Sequence, residues 1–504
     1  MSGSTSNIIE FGDFQTPPAL ALCATRLLVS MGVRPHSIIE PTCGKGAFVH
    51  AAIACFPDTR SILSFDVNGS HLEEARSHVR DARVEFYHAN VFQVDWESTI
   101  GRDRRPWLVL GNLPWVTSAA MSLIKGRNMP VKSNTQGRRG IDAMTGAGNF
   151  DISETLMTRY LDHLDGTDGT LAMICKTSVA RKVLLHAWNK GIRLGSATIH
   201  GVDAMKEFGA AVDACFLVMR CDPLCRTTTC AVYVGMNTEH SECDLGFMDG
   251  MVVNDVATFS KYPLLQASRV LTSPHLWRSG IKHDCSRVME LTPTPAFAPM
   301  HGRARMDIRS YVNGHGEAVI LEDDFLFPML KCSDLSNGRT TPRRVMLVPQ
   351  KKVGEDTGII RQAAPLTWDY LRFHADRLEK RGSSVYTNKP EFSVFGVGSY
   401  SFTPWKVAVS GFHTTPRFVK VGPHEGRPVV HDDTCCFLPC GSEWEANLLV
   451  RMLMSNQAQD FLGSMVHRAS KRPITVSLLR SLSLTGLAEY LDNMDKKESC
   501  SLTS

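Results

Sequence analysis

The sequence predicts an α/β fold in its first half, built on a mostly parallel sheet, followed by a β-rich, mixed α/β second half. Three observations carry this expectation. Short β-rich runs alternate with helical periodicity from residue 19 to about residue 220. Four successive β-runs end in side chains suited to holding a ligand, where open α/β sheets bind theirs. After about residue 255 the helical periodicity fades, and short β-rich runs alternate with Gly, Pro and His. The change of character sets the expected domains at 1–255 and 256–504.

Composition bounds the answer without deciding it. The chain has 504 residues, 43% hydrophobic and 21% charged, the profile of a soluble globular protein with room for two to four domains. A net charge of +4 is too mild to demonstrate a polyanion partner, although local basic clusters can still bind one. The polar, Ser-rich stretch Met1 to Glu10 does not read as a signal peptide, and no run approaches the ~20 apolar residues of a membrane span. Fifteen cysteines without a secretion signal point to free thiols in a reducing compartment. Their groupings (Cys221, Cys225, Cys230 and Cys435, Cys436, Cys440) lack paired C-x2-C spacing, so no metal site is expected.

The elements follow in order. Thr16 before Pro17 and Pro18 starts a helix over Ala19 to Met31, with Thr16 as cap and prolines in the first turn. Ser37-Ile38-Ile39 is a strand ending in Glu40-Pro41-Thr42-Cys43-Gly44-Lys45-Gly46-Ala47-Phe48, and a helix from Val49 to Cys55 follows. Gly44 and Gly46 let backbone approach a ligand closely; a bare G-x-G is weak, whereas the whole Glu-Pro-x-Cys-Gly-x-Gly-x-Phe run is far more specific. A strand from Ser61 to Phe65 ends in Asp66, an acidic residue about 20 positions beyond the glycines, where such folds hold ribose hydroxyls. A third strand, Val84 to His88, leads to Asn90, suited to the edge of an adenine ring. The fourth, Pro106 to Leu110, delivers Gly111-Asn112-Leu113-Pro114-Trp115. An amide, a proline and a large aromatic there suit a planar, amino-bearing ring. An ordinary turn is the competing reading for each residue alone, but four in register are hard to assign to chance. A helix over Ser153 to Leu164, a strand over Leu171 to Cys175, a helix over Lys176 to Trp188 and a strand over Ala214 to Arg220 complete the alternation.

These residues resemble the class I S-adenosylmethionine-dependent amino-methyltransferases of DNA, in the arrangement with cofactor motifs first and target recognition last. The resemblance implies a Rossmann-like methyltransferase domain with a mostly parallel seven-stranded sheet, and S-adenosylmethionine as cofactor. It implies that Thr16 meets the cofactor's carboxylate, that Glu40, Pro41, Cys43, Gly44 and Gly46 surround its methionine portion, and that Asp66 binds ribose. Asn90 stands where the family more often has Asp reading the adenine amino group. Asn112 and the Leu113-Pro114 backbone would hold the target amino group, with Trp115 stacked on the base. The family motif is Asn/Asp/Ser-Pro-Pro-aromatic. Leu113 departs from it, and Asn-Leu-Pro-aromatic also occurs in ribosomal RNA adenine methylases. The chemistry fits: an aromatic amine is a poor nucleophile, and two acceptors on its hydrogens favour a pyramidal nitrogen, with positioning supplying most of the gain. A duplex target must be flipped out of the stack.

Beyond the fourth strand a Gly-rich basic segment carries Lys125, Arg127, Arg138 and Arg139, read as phosphate contacts against the alternative of a solvated loop. In the second half, Trp277-Arg278-Ser279-Gly280-Ile281-Lys282-His283-Asp284-Cys285 and the run Arg381 to Phe402 resemble the recognition portion of bacterial type II modification methylases. Arg278, Lys282, Tyr400, Lys406, Lys471 and Arg472 are the candidate DNA contacts, and His283 with Asp284 reads better as loop hydrogen bonding than as a metal pair. Glu443 to Leu462 has the apolar spacing of one packing helix, and the polar tail from Lys496 is expected to fray.

The expectation is therefore a bacterial-type cytoplasmic, nucleoid-associated enzyme that methylates the exocyclic N6 of adenine in a specific duplex sequence. It would be the protective half of a restriction–modification system whose nuclease is a separate protein. Ribosomal RNA adenine methylation, cytosine-N4 methylation and a DNA-binding specificity protein with a decayed cofactor site are the alternatives.

Overall fold

The computed structural model describes residues 15–100, 105–115, 151–266, 275–294, 308–467, 470 and 472–501, and it divides into two compact units, the first ending at Val256 and the second beginning at Ala257.

In the first unit, helix α1 (Pro18–Ser30) places Pro18 in its first turn, where a missing N–H costs nothing, but its cap position is Pro17 and not Thr16, whose hydroxyl accepts from Asn112 instead. Strand β1 (Ser37–Glu40) follows, then α2 (Ala47–Cys55), β2 (Ser61–Asp66), α3 (Gly69–His78), β3 (Val84–His88) and β4 (Trp107–Asn112). After α4 (Ile152–Leu164) come β5 (Thr170–Lys176), α5 (Thr177–Lys190), β6 (Leu194–Val202) and β7 (Ala214–Cys221). β3, β2, β1, β4 and β5 run parallel in that spatial order, and β7 then inserts antiparallel between β5 and β6.

Burial explains why these strands read as continuous apolar runs. β1 is buried at all four residues and β4 at its first five, as expected of a parallel sheet covered on both faces. Alternate side chains enter different cores. Ile39, Trp107 and Val109 join Trp96 and Tyr160 in one cluster, while Ile38, Leu108 and Leu110 join Phe48 and Phe216 in another.

The seven-stranded sheet is present but not bounded there. β8 (Thr229–Tyr233) pairs parallel with β6, and β9 (Cys243–Met248) and β10 (Met251–Val253) add antiparallel, giving ten strands. β6 is largely alternating in burial and β8 is short and half-exposed, which is why neither stands out as an apolar run.

The second unit holds two smaller sheets. A four-stranded sheet has the order β11-β20-β17-β18, from Arg278–Ser279, Cys435–Cys440, Trp405–Ser410 and Val419–Val421. The other, six-stranded, joins Glu290–Pro293, Ile308–Asn313, Ala318–Glu322, Leu326–Leu330, Arg344–Leu347 and Val430–His431. Two expectations are corrected here. The stretch 443–462 is two helices, α6 (Glu443–Leu453) and α7 (Asn456–Gly463), because Ser455 turns the chain and caps the second by accepting from the Ala458 N–H. The polar tail does not fray from Lys496: α8 (Leu484–Ser501) continues through it.

Candidate active site

The order of strands places the site. β1 to β3 step one way across the sheet while β4 and β5 step the other, so the winding reverses between β1 and β4, the point at whose carboxyl ends open α/β sheets bind their ligands. Glu40, Asp66 and Asn112 are the last residues of β1, β2 and β4, and Asn90 lies two residues beyond β3. Because the strands are parallel neighbours, all four residues come to one end of the sheet.

The turn after β1 is built by its glycines and held by Asp66. Gly44 (φ 51°) and Gly46 (φ 87°) occupy the left-handed region, and Gly46 caps α2. The Gly44 N–H donates to Asp66 Oδ2 at 2.7 Å, and the Asn68 N–H donates to Asp66 Oδ1 at 2.7 Å. Gln15 closes over the turn, its Oε1 accepting from the Lys45 N–H at 3.0 Å, and a Cβ at Gly44 would stand 2.6 Å from that same oxygen. Pro41 and Cys43 are buried beneath, the Cys43 thiol pushed up by burial.

Glu40 is the anomalous group. It is 3% exposed, and its Oε2 has no hydrogen-bond partner among the described residues. Burial, reinforced by the Asp66 charge, pushes its carboxyl well above the usual range. Asn90 instead serves its own turn, with Oδ1 accepting from the Phe92 N–H at 3.0 Å.

Asn112 joins the segment before α1 to the end of β4. Its Nδ2 donates to Thr16 Oγ1 at 3.3 Å, and its carbonyl accepts from Thr42 Oγ1 at 3.1 Å. With Nδ2 directed to Thr16, Oδ1 is the acceptor end of the amide. Pro114 is half-buried; Trp115 is 6% exposed and packs edge-to-face on Phe208, with ring centroids 5.0 Å apart. The Trp115 carbonyl accepts from Lys176 Nζ at 2.9 Å, and the same ammonium pairs with Asp151 Oδ2 at 2.6 Å.

The structure thus brings Thr16, Glu40, Pro41, Cys43, Gly44, Gly46, Asp66, Asn112, Pro114 and Trp115 into one region. Sequence reasoning missed Thr42, Lys176 and Asp151. Thr42 lies inside the Glu40–Phe48 run and was legible by position, whereas nothing local marks Lys176 or Asp151, which meet because α4, capped by Asp151, packs back against β5.

The nucleic-acid candidates divide differently. Lys125, Arg127, Arg138, Arg139 and Lys471 lie outside the described residues. Arg278 stacks over Tyr400 at 4.5 Å, Arg472 is exposed over Phe412 at 5.5 Å and pairs with Asp433, and half-buried Lys282 sits 3.5 Å from Asp284. Lys406 is a correction. It is 1% exposed inside β17 and donates to the Thr403 carbonyl at 2.6 Å, so it does not reach a phosphate. Its strand is buried on both faces, which defeats the alternation that would have put a lysine outward. His283 is buried 3.4 Å from Glu290, and among the described residues no group of three or more His, Cys, Asp or Glu could hold a metal ion.

Known proteins decide the family. No protein-family model matches the sequence. The type II methyltransferase M.NspV of a Nostoc species is 38% identical over 487 residues, covering 96% of this chain and 98% of that one.

The chain belongs to the type II methyltransferase family.

A solved structure of the type IIL restriction-modification enzyme MmeI in complex with DNA matches this methyltransferase with a TM-score of 0.53 and 13% identity over 94% of its residues. The match spans 65% of the MmeI chain, and it shows a shared fold. In the methyltransferase, no helix among the described residues is long and apolar enough to cross a membrane.

Proposed function

We propose that this methyltransferase transfers a methyl group from S-adenosylmethionine to the exocyclic N6 of a flipped-out adenine in a specific DNA sequence. It would be the modification enzyme of a restriction–modification system, with a separate nuclease reading the same site. The observation that carries the reading is the junction of Asn112 with Thr16 and Thr42 at the mouth of the Gly44–Gly46 turn.

The residues fit the cofactor. Gly44 and Gly46 leave room for close backbone approach, and the buried Glu40 Oε2 is an acceptor suited to a cationic amino group. Thr16, Glu40 and the turn would hold its methionine portion and Asp66 its ribose. When bound, S-adenosylmethionine supplies an electrophilic methyl on a sulfonium. The protein's part is positioning. Asn112 Oδ1 and a backbone carbonyl of Leu113-Pro114 accept from the two amino hydrogens, which localises the nitrogen lone pair and aims it. Trp115, steadied by Phe208, offers the base a stacking surface that offsets part of the cost of unstacking. Arg278, Tyr400 and Arg472 of the second unit would contact the duplex.

The test is to incubate the protein with labelled cofactor and either unmethylated DNA or ribosomal RNA, then identify the modified nucleoside by mass spectrometry. N6-methyladenine in DNA is expected. Label confined to RNA, or to cytosine, overturns the reading.

A further inference from the structure

The Lys176–Asp151 pair lies at the active end of the sheet and none of the roles assigned above uses it. Lys176 is the last residue of β5, whose Ile174 pairs with Asn112. Its ammonium, with the side chain 20% exposed, makes two bonds: to the Trp115 carbonyl at 2.9 Å and to Asp151 Oδ2 at 2.6 Å. Asp151 is 6% exposed and is fixed in turn, its Oδ1 accepting from the Ser153 N–H at 3.2 Å and the Ser153 hydroxyl at 2.5 Å as the cap of α4. Trp115 and Asp151 are the residues that flank 116–150, and one ammonium binds both.

A surface ion pair contributes little, but this one is short, largely desolvated and bonded to a main-chain carbonyl of the catalytic motif. Asn112 is held upstream by Thr16 and Thr42. The peptide planes from Leu113 to Trp115 carry both the backbone acceptor for the target amino group and the stacking ring. The hydrogen bond from Lys176 holds the main chain at their downstream end, while Phe208 packs on the Trp115 ring.

We propose that Lys176, locked by Asp151, is a positioning residue for methyl transfer: it sets the orientation of the Leu113–Trp115 backbone and thereby the placing of the target base. The inference rests on the functional reading above. Its effect belongs in turnover, since misplacing a reacting group by about 1 Å costs on the order of 100-fold, and not in cofactor affinity, which resides at the ends of β1 and β2.

The experiment compares the full chain with Lys176→Met, Lys176→Arg and the double variant Lys176→Met/Asp151→Asn, which removes the pair without stranding a carboxylate. Single-turnover methyl transfer to DNA and cofactor affinity by calorimetry are both measured well below the melting temperature of each variant. Lys176→Met and the double variant should lose roughly 100-fold in the transfer rate with cofactor affinity within threefold, and Lys176→Arg should recover most of the rate. A transfer rate near that of the parent overturns the proposal. So does a loss of cofactor affinity in the same proportion, which marks a merely structural role. A parent chain that methylates no DNA counts instead against the functional reading.

Discussion

The backbone N–H of Gly44 donates to the carboxylate of Asp66 at 2.7 Å, so the end of one strand holds the turn that leaves its neighbour. Asp66 is thus a structural clasp that can still serve as the proposed ribose ligand, since each carboxylate oxygen has a second acceptor position. Asp66→Ala leaves the Gly44 and Asn68 amides without their acceptor, at about 1–3 kcal/mol. Calorimetry should record at least a tenfold loss of cofactor affinity together with a lower melting temperature. Unchanged affinity would mean that the turn keeps its shape without the clasp.

Asn112→Ala removes the amide acceptor but leaves the Gly44–Gly46 turn untouched. Methyl transfer should fall by about 100- to 1000-fold or more, while cofactor affinity by calorimetry survives. Full activity in the alanine variant would remove Asn112 from the mechanism.

Glu40 makes the protein's stability fall with pH. Burial and the Asp66 charge raise its folded carboxyl above the unfolded value, so the folded chain holds a proton that the unfolded chain has released. That contribution is present in full below the unfolded value near 4.5 and is lost as pH rises through the raised folded value. Glu40→Gln should flatten the decline of melting temperature across that window and weaken cofactor binding. A decline as steep in the glutamine variant assigns the effect to another group.

Lys406 and Arg472 should respond differently to salt. Arg472→Ala, if it removes a phosphate contact, lowers the slope of log affinity against log salt by about 1. Lys406→Met leaves the slope unchanged, because its ammonium is sealed inside the sheet. The same burial drops the Lys406 pKa to about 7, so between about 7 and 10.5 the unfolded chain binds a proton that the folded chain does not, and stability gains with pH there. The methionine variant should lose that gain. A reduced salt slope for Lys406→Met would restore it as a nucleic-acid contact.

The first unit was legible because its signals are local. β1, β2 and β4 are largely apolar runs buried on both faces, and each ends at one of the polar residues Glu40, Asp66 and Asn112. β6 and β8 to β10 escaped because half-exposed strands at the far side of a sheet carry no such run. The proposed cofactor side follows chain order, so the gathering of Thr16, Glu40, Gly44 and Asp66 at one end of the sheet could be read off. Lys176 and Asp151 could not, because what makes them neighbours is the packing of α4 against β5. In the second unit the polar loops were read as a surface, and Lys406 shows where this fails: a lysine in a six-residue strand buried along nearly its whole length.

The Asn112–Thr16 hydrogen bond joins residues 96 positions apart in the chain. Between them lie three complete strands and, among the described residues, four α-helices, and β4 must enter beside β1 before the amide can meet the hydroxyl. A contact of such long range is made at the cost of loop-closure entropy. The proposed methyl-transfer site is therefore complete only once β4 lies beside β1, and a nascent chain released before that would carry the proposed cofactor turn without Asn112.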